Sequence, residues 1–342
     1  MDKKQILSHV LSKSATIEDV PLACCNEDAA VEFLEKQRWG DTPACVKCGS
    51  VGVYKMTDAK TGKRNSRYLW RCHDCKEQYT VRIGTVYEES RIELRHWCYA
   101  FWRAATSKKG VPALEIKRHC QISYKSALFL MNRIRFAMAP DPTPARKLSG
   151  VVELDEVYIG PRKPRYKGVS GPGRSTLKTP VFCAVERGGE LRRRVVADVT
   201  AATLRDAIRQ DVDNRAKLMT DEFSSYRWLK RGWTGGHESV CHRTFEYARG
   251  EAHVNTAESS HALIRRGLVG IYHNISREYL HRYLWQFNFL WNNRQLNDGE
   301  RTVAVIKSAE GKRLMYKEPL EQQRQYTRNR EQQENNGQLE PF

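Results

Sequence analysis

Apolar and polar positions change period repeatedly along the chain. Residues 27–39, EDAAVEFLEKQRW, set apolar side chains at helical spacing and predict a helix. Two short β-rich runs follow, VGVYKM and RYLWRC, joined by the polar, basic segment TDAKTGKRNS; together they predict a hairpin. Residues 91–138 return to the helical period. RIELRHWCYAFWRAATSK carries an apolar stripe, VPALEIKRHC is short, and SYKSALFLMNRIRFAMA is longer, with Ser123 placed to cap it. Short helix, QIS turn and longer helix match a helix-turn-helix, and a plain three-helix linker domain fits the same residues. Prolines at 140, 142 and 144 in PDPTPARKLSG mark a domain boundary.

Beyond that boundary strands appear. GVVELDEVYIG (150–160) predicts one, and TPVFCAVERG and LRRRVVADV, joined across GGE, predict a hairpin. TAATLRDAIRQDV predicts a helix with threonine caps, AKLMTDE a buried strand ending in a carboxylate, and SSYRWLKRG a helix. A strand near ESVCHR and a long helical tract over 255–293 complete the series. Strands interleaved with helices predict an α/β domain with a mixed sheet. The Gln- and Asn-rich tail, QQRQYTRNREQQENNGQLEPF, predicts disorder. The expected divisions are 1–90 (helix and hairpin), 91–139 (helix-turn-helix), 140–150 (linker), 151–315 (α/β domain) and 316–342 (tail).

Composition adds a partner. Of 342 residues, 58 are Lys or Arg against 40 Asp or Glu, a formal charge of +18, and 40 % are hydrophobic, enough for a real core. Such an excess suits a polyanion, and the helix-turn-helix pattern favours double-stranded DNA as that partner. Candidate contacts are Lys63 and Arg64 at the hairpin tip, Lys125, Arg133 and Arg135 on the longer helix, and Arg162, Lys163, Arg165, Lys167 and Arg174 in the glycine-bearing loop after the first strand. No run of 18 apolar residues is long enough for a membrane span, so no membrane partner is expected. MDKKQILSHV lacks the apolar core of a signal peptide, which predicts a cytoplasmic protein.

In that compartment the cysteines have a metal reading. Cys45 and Cys48 form one CxxC pair, Cys72 and Cys75 another, with residues 49–71 between them. Two such knuckles flanking a hairpin predict a zinc ribbon, one zinc held by four thiolates. A thioredoxin-like redox pair is the competing reading, but no βαβ pattern surrounds either pair. Four cysteines leave no open coordination position, so the expected zinc is structural. Cys24, Cys25, Cys98, Cys120, Cys183 and Cys241 read as packing residues.

The chemistry falls to acidic residues in the α/β half. Asp155 lies within VELDEVY, Asp221 ends KLMTDEF, and Glu258 opens the helix NTAESSHALIRR. An apolar strand excludes an unpaired carboxylate, so two strand carboxylates and a helical one suggest ligands for a hard cation, magnesium or manganese. Glu153, Asp155 and Glu156 crowd one strand; Glu153 and Asp155 share a face and Glu156 points the other way. Two metals at such a site activate a hydroxyl and stabilise the leaving oxygen of a phosphodiester. On the helix, Glu258, His261 and Arg265 recur at helical spacing, placing Arg265 to hold a phosphate.

Taken in order, CVKCGS, YLWRCHDCKEQYTVRIGTVYEES, VVELDEVYIGPRK, LMTDEFSSY, HVNTAESSHALIRRGLVGIYHNIS and LHRYLWQFNFLWNNR span residues 25–310 or so. The chain resembles a bacterial insertion-sequence transposase of the DDE type, in the group whose N-terminal domain is a zinc ribbon. That resemblance implies a ribonuclease H-like catalytic core with Asp155, Asp221 and Glu258 as the metal triad. It also implies two magnesium or manganese ions, cleavage at element ends and joining to target DNA. It implies a homo-oligomer, at least a dimer on paired ends, and a nucleoid-associated location. Relatives of this kind usually carry a Lys seven residues after the Glu, where this chain has Arg265, and some carry Asn at the third position; Asn255, one turn before Glu258, is the alternative ligand. The competing readings are a non-catalytic DNA-binding relative and a ribonuclease H-like nuclease acting on branched or hybrid nucleic acid.

Overall fold

The computed structural model describes residues 19–140, 146–160 and 178–314. A short helix, α1 (Asp19–Ala23), precedes α2 (Glu27–Trp39), which Asn26 caps by accepting from the Ala29 N–H at 2.8 Å. The ribbon follows as three short strands, β1 (Val53–Lys55), β2 (Trp70–Cys72) and β3 (Gln78–Tyr79), antiparallel in that order. Its link to α2 is electrostatic and aromatic. Glu35, buried on α2, accepts from the Trp70 indole N–H at 2.7 Å and pairs with the Arg64 guanidinium, which stands 5.3 Å from the Tyr68 ring centroid. Arg64, expected at a DNA-facing tip, is thus spent on the ribbon's own packing, while Lys63 beside it is exposed.

Helices α3 (Leu94–Thr106), α4 (Ala113–Cys120) and α5 (Tyr124–Ala137) form the helical body. Gln121 turns the chain between α4 and α5 with a left-handed φ of 54°, and Ser123 caps α5 by accepting from the Ser126 N–H at 3.1 Å. The apolar stripe of α3, including Trp97, Phe101 and Ala104, packs in one core with Ile116, Leu130 and Ile134. Here the structure corrects two expected DNA contacts. Arg133 is buried, donating to the Glu88 carbonyl at 2.9 Å; Arg135 is 1 % exposed, donating to the Gln286 side chain at 3.0 Å beneath the Tyr283 ring. Residues 133 and 135 follow the apolar positions of α5 inward, and their long side chains find acceptors there. Lys125, near the start of α5, is exposed.

The second half holds a five-stranded mixed sheet. Strands β4 (Val151–Ile159), β5 (Thr179–Glu186) and β6 (Leu191–Val195) are antiparallel neighbours; after α6 (Ala201–Asp211), β7 (Lys217–Thr220) pairs parallel to β4. A short helix α7 (Leu229–Gly232) leads to β8 (His237–Ser239), parallel to β7. The order β6-β5-β4-β7-β8 makes the longest strand, β4, central, the ribonuclease H-like arrangement. One face buries Val152, Leu154 and Phe182 under Leu204 and Ile208 of α6. The other face is covered by α8 (Asn255–Gly267) and α9 (Leu280–Asn292), through Ile264, Leu284 and Phe287 on Val157, Ile159 and Val181.

The tract expected as continuous over 255–293 is interrupted. A π-turn, Leu268–Tyr272, and a 3-10 turn, Arg277–Tyr279, separate α8 from α9. Gly267 and Gly270 explain the break, since glycine weakens a helix and Gly267 lets the Phe287 ring and the Lys109 carbonyl approach. The stretch 224–232, expected as one helix, splits into a 3-10 turn, Ser224–Tyr226, and α7. A final helix, α10 (Asp298–Lys307), starts from an Asn297–Glu300 capping box. Its Val305 and Ile306 pack into the N-terminal helical core, so the chain closes back on α3 after building the sheet. No described helix is long and apolar enough to cross a membrane. The loop arginines and lysines at 162–174 and the tail at 316–342 lie outside the described residues.

The π-turn also joins the two halves. Tyr272 accepts from the Val111 N–H at 3.2 Å and donates to Gln286 at 3.1 Å, and a Cβ at Gly110, whose φ is 95°, would meet the Tyr272 oxygen at 2.0 Å. Gly110→Ala is expected to lower stability by about 1–3 kcal/mol, as overpacking does. Gly270→Ala, where a Cβ meets nothing within 4 Å, is expected to leave it unchanged or raised. Urea unfolding of the two variants checks the contrast; equal midpoints would dismiss the joint.

Candidate active site

The four cysteines come together at the base of the ribbon. Cys45 Sγ lies 3.6 Å from Cys75 Sγ, and Cys48 Sγ lies 3.7 Å from Cys72 Sγ; all four sulfurs fall within 4.8 Å of one another. Sulfurs bound to one zinc at about 2.3 Å in a tetrahedron stand roughly 3.8 Å apart, so the quartet fits that ion and leaves it no open position. The Cys75 backbone N–H, ahead of that of Asp74, draws the Cys72 thiol down to about 7 against its burial, which favours the thiolate that a metal needs.

On the sheet, register decides which carboxylates meet. Glu153 of β4 pairs with Met219 of the parallel strand β7, so Asp155 and Asp221, each two residues further on, end level on neighbouring strands and on the same face. Helix α8 lies across that face, and its first turn brings Glu258. The electrostatics record the meeting. Burial first, then the charge of Asp221, with Glu258 adding less, pushes the Asp155 carboxyl up to about 7, while the Glu156 backbone N–H and Arg265 pull it down. Asp221 also turns the chain, accepting from the Phe223 N–H at 2.9 Å. Glu258 is half exposed, with His242 Nδ1 3.9 Å from its Oε1. The carboxylates stand further apart than the cysteine sulfurs: among the described residues the quartet alone has every donor within 4.8 Å. Like charges repel, and three hard-oxygen donors facing one opening suit a divalent cation.

The remaining candidates sort by burial. His261 is 2 % exposed behind Asp155, with Nδ1 3.6 Å from its Oδ2; burial, then Arg193 and Arg265, lowers its pKa to about 3, so it stays neutral. Arg265 is exposed two turns beyond Glu258, and Asn255 is exposed at the start of α8.

The ambiguity among the three acids of β4 is resolved by their partners. Glu153 is fully buried and accepts from the Arg187 Nε at 2.6 Å, the Thr256 N–H at 2.8 Å, the Thr256 hydroxyl at 2.9 Å and the Ala257 N–H at 3.0 Å. It binds the N-terminus of α8 to the strand. Glu156, on the opposite face, accepts from the Tyr226 hydroxyl. Sequence reasoning missed both Glu153 as the anchor of α8 and His242 beside Glu258. Glu153 carried a signal, a carboxylate in an apolar strand two residues before Asp155; His242, in an irregular segment, carried none.

Comparison with known proteins adds family evidence. Residues 25–78 match the model of a transposase zinc-ribbon domain, and residues 147–292 match that of an ISXO2-like transposase domain. The chain is 30 % identical over 278 residues to an uncharacterized protein in transposable element ISH50 of Halobacterium salinarum, covering 77 % of this chain and 90 % of that protein. A pre-cleavage Mos1 transpososome structure aligns at 16 % identity and a TM-score of 0.23, over 62 % of this chain and 72 % of the other.

Three outcomes follow from this geometry. Cys72→Ser is expected to cut bound zinc to below one atom per chain and to loosen the ribbon, read by elemental analysis and proteolysis; native protein free of zinc would refute the ribbon as a metal site. Glu153→Ala is expected to cost about 3–5 kcal/mol, because the half-buried Arg187 and the Thr256 and Ala257 N–H groups of α8 all lose their acceptor; a shift under 1 kcal/mol would demote this anchor. The raised Asp155 carboxyl carries a sign. The folded state holds the proton more tightly than the unfolded one, so stability falls as pH rises from the ordinary carboxylate range through about 7. In magnesium-free buffer Asp155→Asn is therefore expected to be more stable than the parent at pH 8, by up to about 4 kcal/mol, and equal to it near pH 4. Thermal melts at the two pH values check this.

Proposed function

The chain belongs to the insertion-sequence transposases that join a zinc ribbon to an ISXO2-like transposase domain, and from that premise we propose that it binds the terminal inverted repeats of a mobile element, cuts the DNA at its ends and joins them to target DNA. The observation that carries this reading is the convergence of Asp155, Asp221 and Glu258 on one face of the sheet, close enough that the others' charges help hold a proton on Asp155. A binder without chemistry gains nothing from such mutual repulsion.

Magnesium or manganese, as two ions, suits these donors and when bound supplies charge stabilisation to the phosphodiester and activates the attacking hydroxyl. Asp155 and Asp221 offer their oxygens from neighbouring strands, and Glu258 offers its own from α8, a frame that the Glu153 anchor keeps rigid. Asn255 is the alternative to Glu258 at the start of that helix. Neutral His261 packs behind Asp155 without adding charge. Arg265, on the exposed side of α8, extends a planar guanidinium to a neighbouring phosphate, a role Lys fills less specifically. No serine or tyrosine nucleophile is required, because a DNA 3′-hydroxyl or water attacks in line.

One structural zinc in the cysteine quartet holds the ribbon. Lys63 on the ribbon and Lys125 at the start of α5, two of the exposed basic groups of the N-terminal half, meet the duplex, with binding weakened steeply by salt. Pairing two ends calls for at least a dimer. The protein acts on cytoplasmic, nucleoid DNA.

The test is cleavage and strand transfer of a labelled element-end duplex beside a gel shift on the same protein. Asp155→Asn, Asp221→Asn and Glu258→Gln are expected to abolish both reactions with end binding nearly intact, and Arg265→Ala to weaken them less. Calcium is expected to support binding without turnover. Wild-type cutting by Asp221→Asn would overturn the site, and cutting without joining would make the protein a nuclease.

A further inference from the structure

The segment between β8 and α8 carries two exposed aromatic residues and reaches the carboxylates through His242 and Arg243. Phe245 is 81 % exposed and Tyr247 57 %. Phe245 holds a φ of 60°, a left-handed conformation rarely adopted by side chains of its size. The loop is fastened in that shape. The Cys241 N–H donates to Glu246 at 3.1 Å, the His242 N–H to Glu222 at 2.9 Å, and the Phe245 N–H to the His242 carbonyl at 3.1 Å. Tyr247 lies against the His242 ring, centroids 5.4 Å apart, and the same His242 reaches Glu258. Arg243, its side chain 84 % exposed, lines with Arg227 a recess whose wall includes Asp221.

One exposed aromatic residue is ordinary. Two on a tied-down loop, which reaches Glu258 through His242 and walls the Asp221 recess with Arg243, form a surface with a definite preference. Aromatic faces beside guanidinium groups are what unpaired bases and their phosphates bind, whatever the sequence. A base drawn out of a duplex loses its stacking, and an aromatic face returns it. We infer that Phe245 and Tyr247 form a stacking platform for an unpaired nucleobase flanking the phosphodiester to be cut, with Arg243 and Arg227 on the adjoining phosphates. This rests on the transposase reading. A second copy of the chain fits less well, since the exposed neighbours of the pair, Arg243, Thr244, Ala248 and Arg249, make a mostly polar and basic rim rather than an apolar one.

Two measurements on the full-length protein test the platform. The first is anisotropy with a labelled oligo-dT single strand, which needs no activity. Phe245→Ala/Tyr247→Ala is expected to bind about tenfold or more weakly, and Phe245→Trp to bind as the parent does. The second is cleavage of an element-end duplex, fully paired or mismatched at the nucleotides flanking the cut. The double variant is expected to cut the paired duplex about tenfold or more slowly and to recover most of that on the mismatched one, a rescue that a misfolded loop would not give. Unchanged oligo-dT affinity, or slow cutting without rescue, overturns the platform. Unchanged oligo-dT affinity with a shifted sedimentation coefficient assigns the pair to a second copy instead. If the parent cuts neither duplex yet the double variant still loses oligo-dT affinity, the platform stands as a single-strand site and the transposase reading falls.

Discussion

The buried carboxylate of Glu153 is the constraint on which the arrangement of the sheet half depends. A charge with no exposure in the middle of a sheet is tolerated only when donors surround it. Glu153 obtains them from Arg187 on the strand side and from the Thr256 and Ala257 N–H groups on the helix side. Those N–H groups belong to the unsatisfied first turn of α8, whose dipole also favours an anion there. One contact therefore settles two needs, and it fixes which turn of α8 lies over which residue of β4. Glu258 lies in that same first turn and Asp155 two residues further along β4, so both reach the same opening.

A second constraint ties this half to the helical body. Arg135 of α5 enters the aromatic cluster of Tyr272 and Tyr283 and meets Gln286, while α10 returns to α3 after the sheet is complete. The N-terminal helices and the helix that carries Glu258 thus share a rigid junction through the π-turn. Movement of one half without the other would break buried hydrogen bonds rather than exposed ones.

What the residues revealed in advance follows from how local each signal was. The CxxC spacing, the Ser123 cap and the alternation of VELDEVY are local patterns, and each reappears in the structure as read. The residues marked Asp155 and Asp221 as strand carboxylates, but only the parallel register of β4 and β7 brings them level. Arg133 and Arg135 were misread because charge alone does not tell an exposed position from a buried one that has acceptors. Arg64 was misread for the same reason, its partner Glu35 lying on a separate element. The interruption after Gly267 was hidden because apolar periodicity continues through LVGIY, and the reason for the break, the close approach of Phe287 and Lys109, is tertiary. The return of α10 to the N-terminal core left no trace in a chain read from left to right.

The three acids of β4 also explain why one of them is available for chemistry. Glu153 is saturated by four donors, and Glu156 is held by Tyr226 on the far face. Asp155 accepts the Glu156 backbone N–H and otherwise faces Asp221, with a neutral imidazole behind it. A protein that needed only a stable sheet would replace such a group with an apolar one, since its burial beside like charges works against folding. Stability is withheld at this position while it is secured at its neighbours two residues before and one after. The proposed cation site rests on that contrast along a single strand rather than on the number of acids in it.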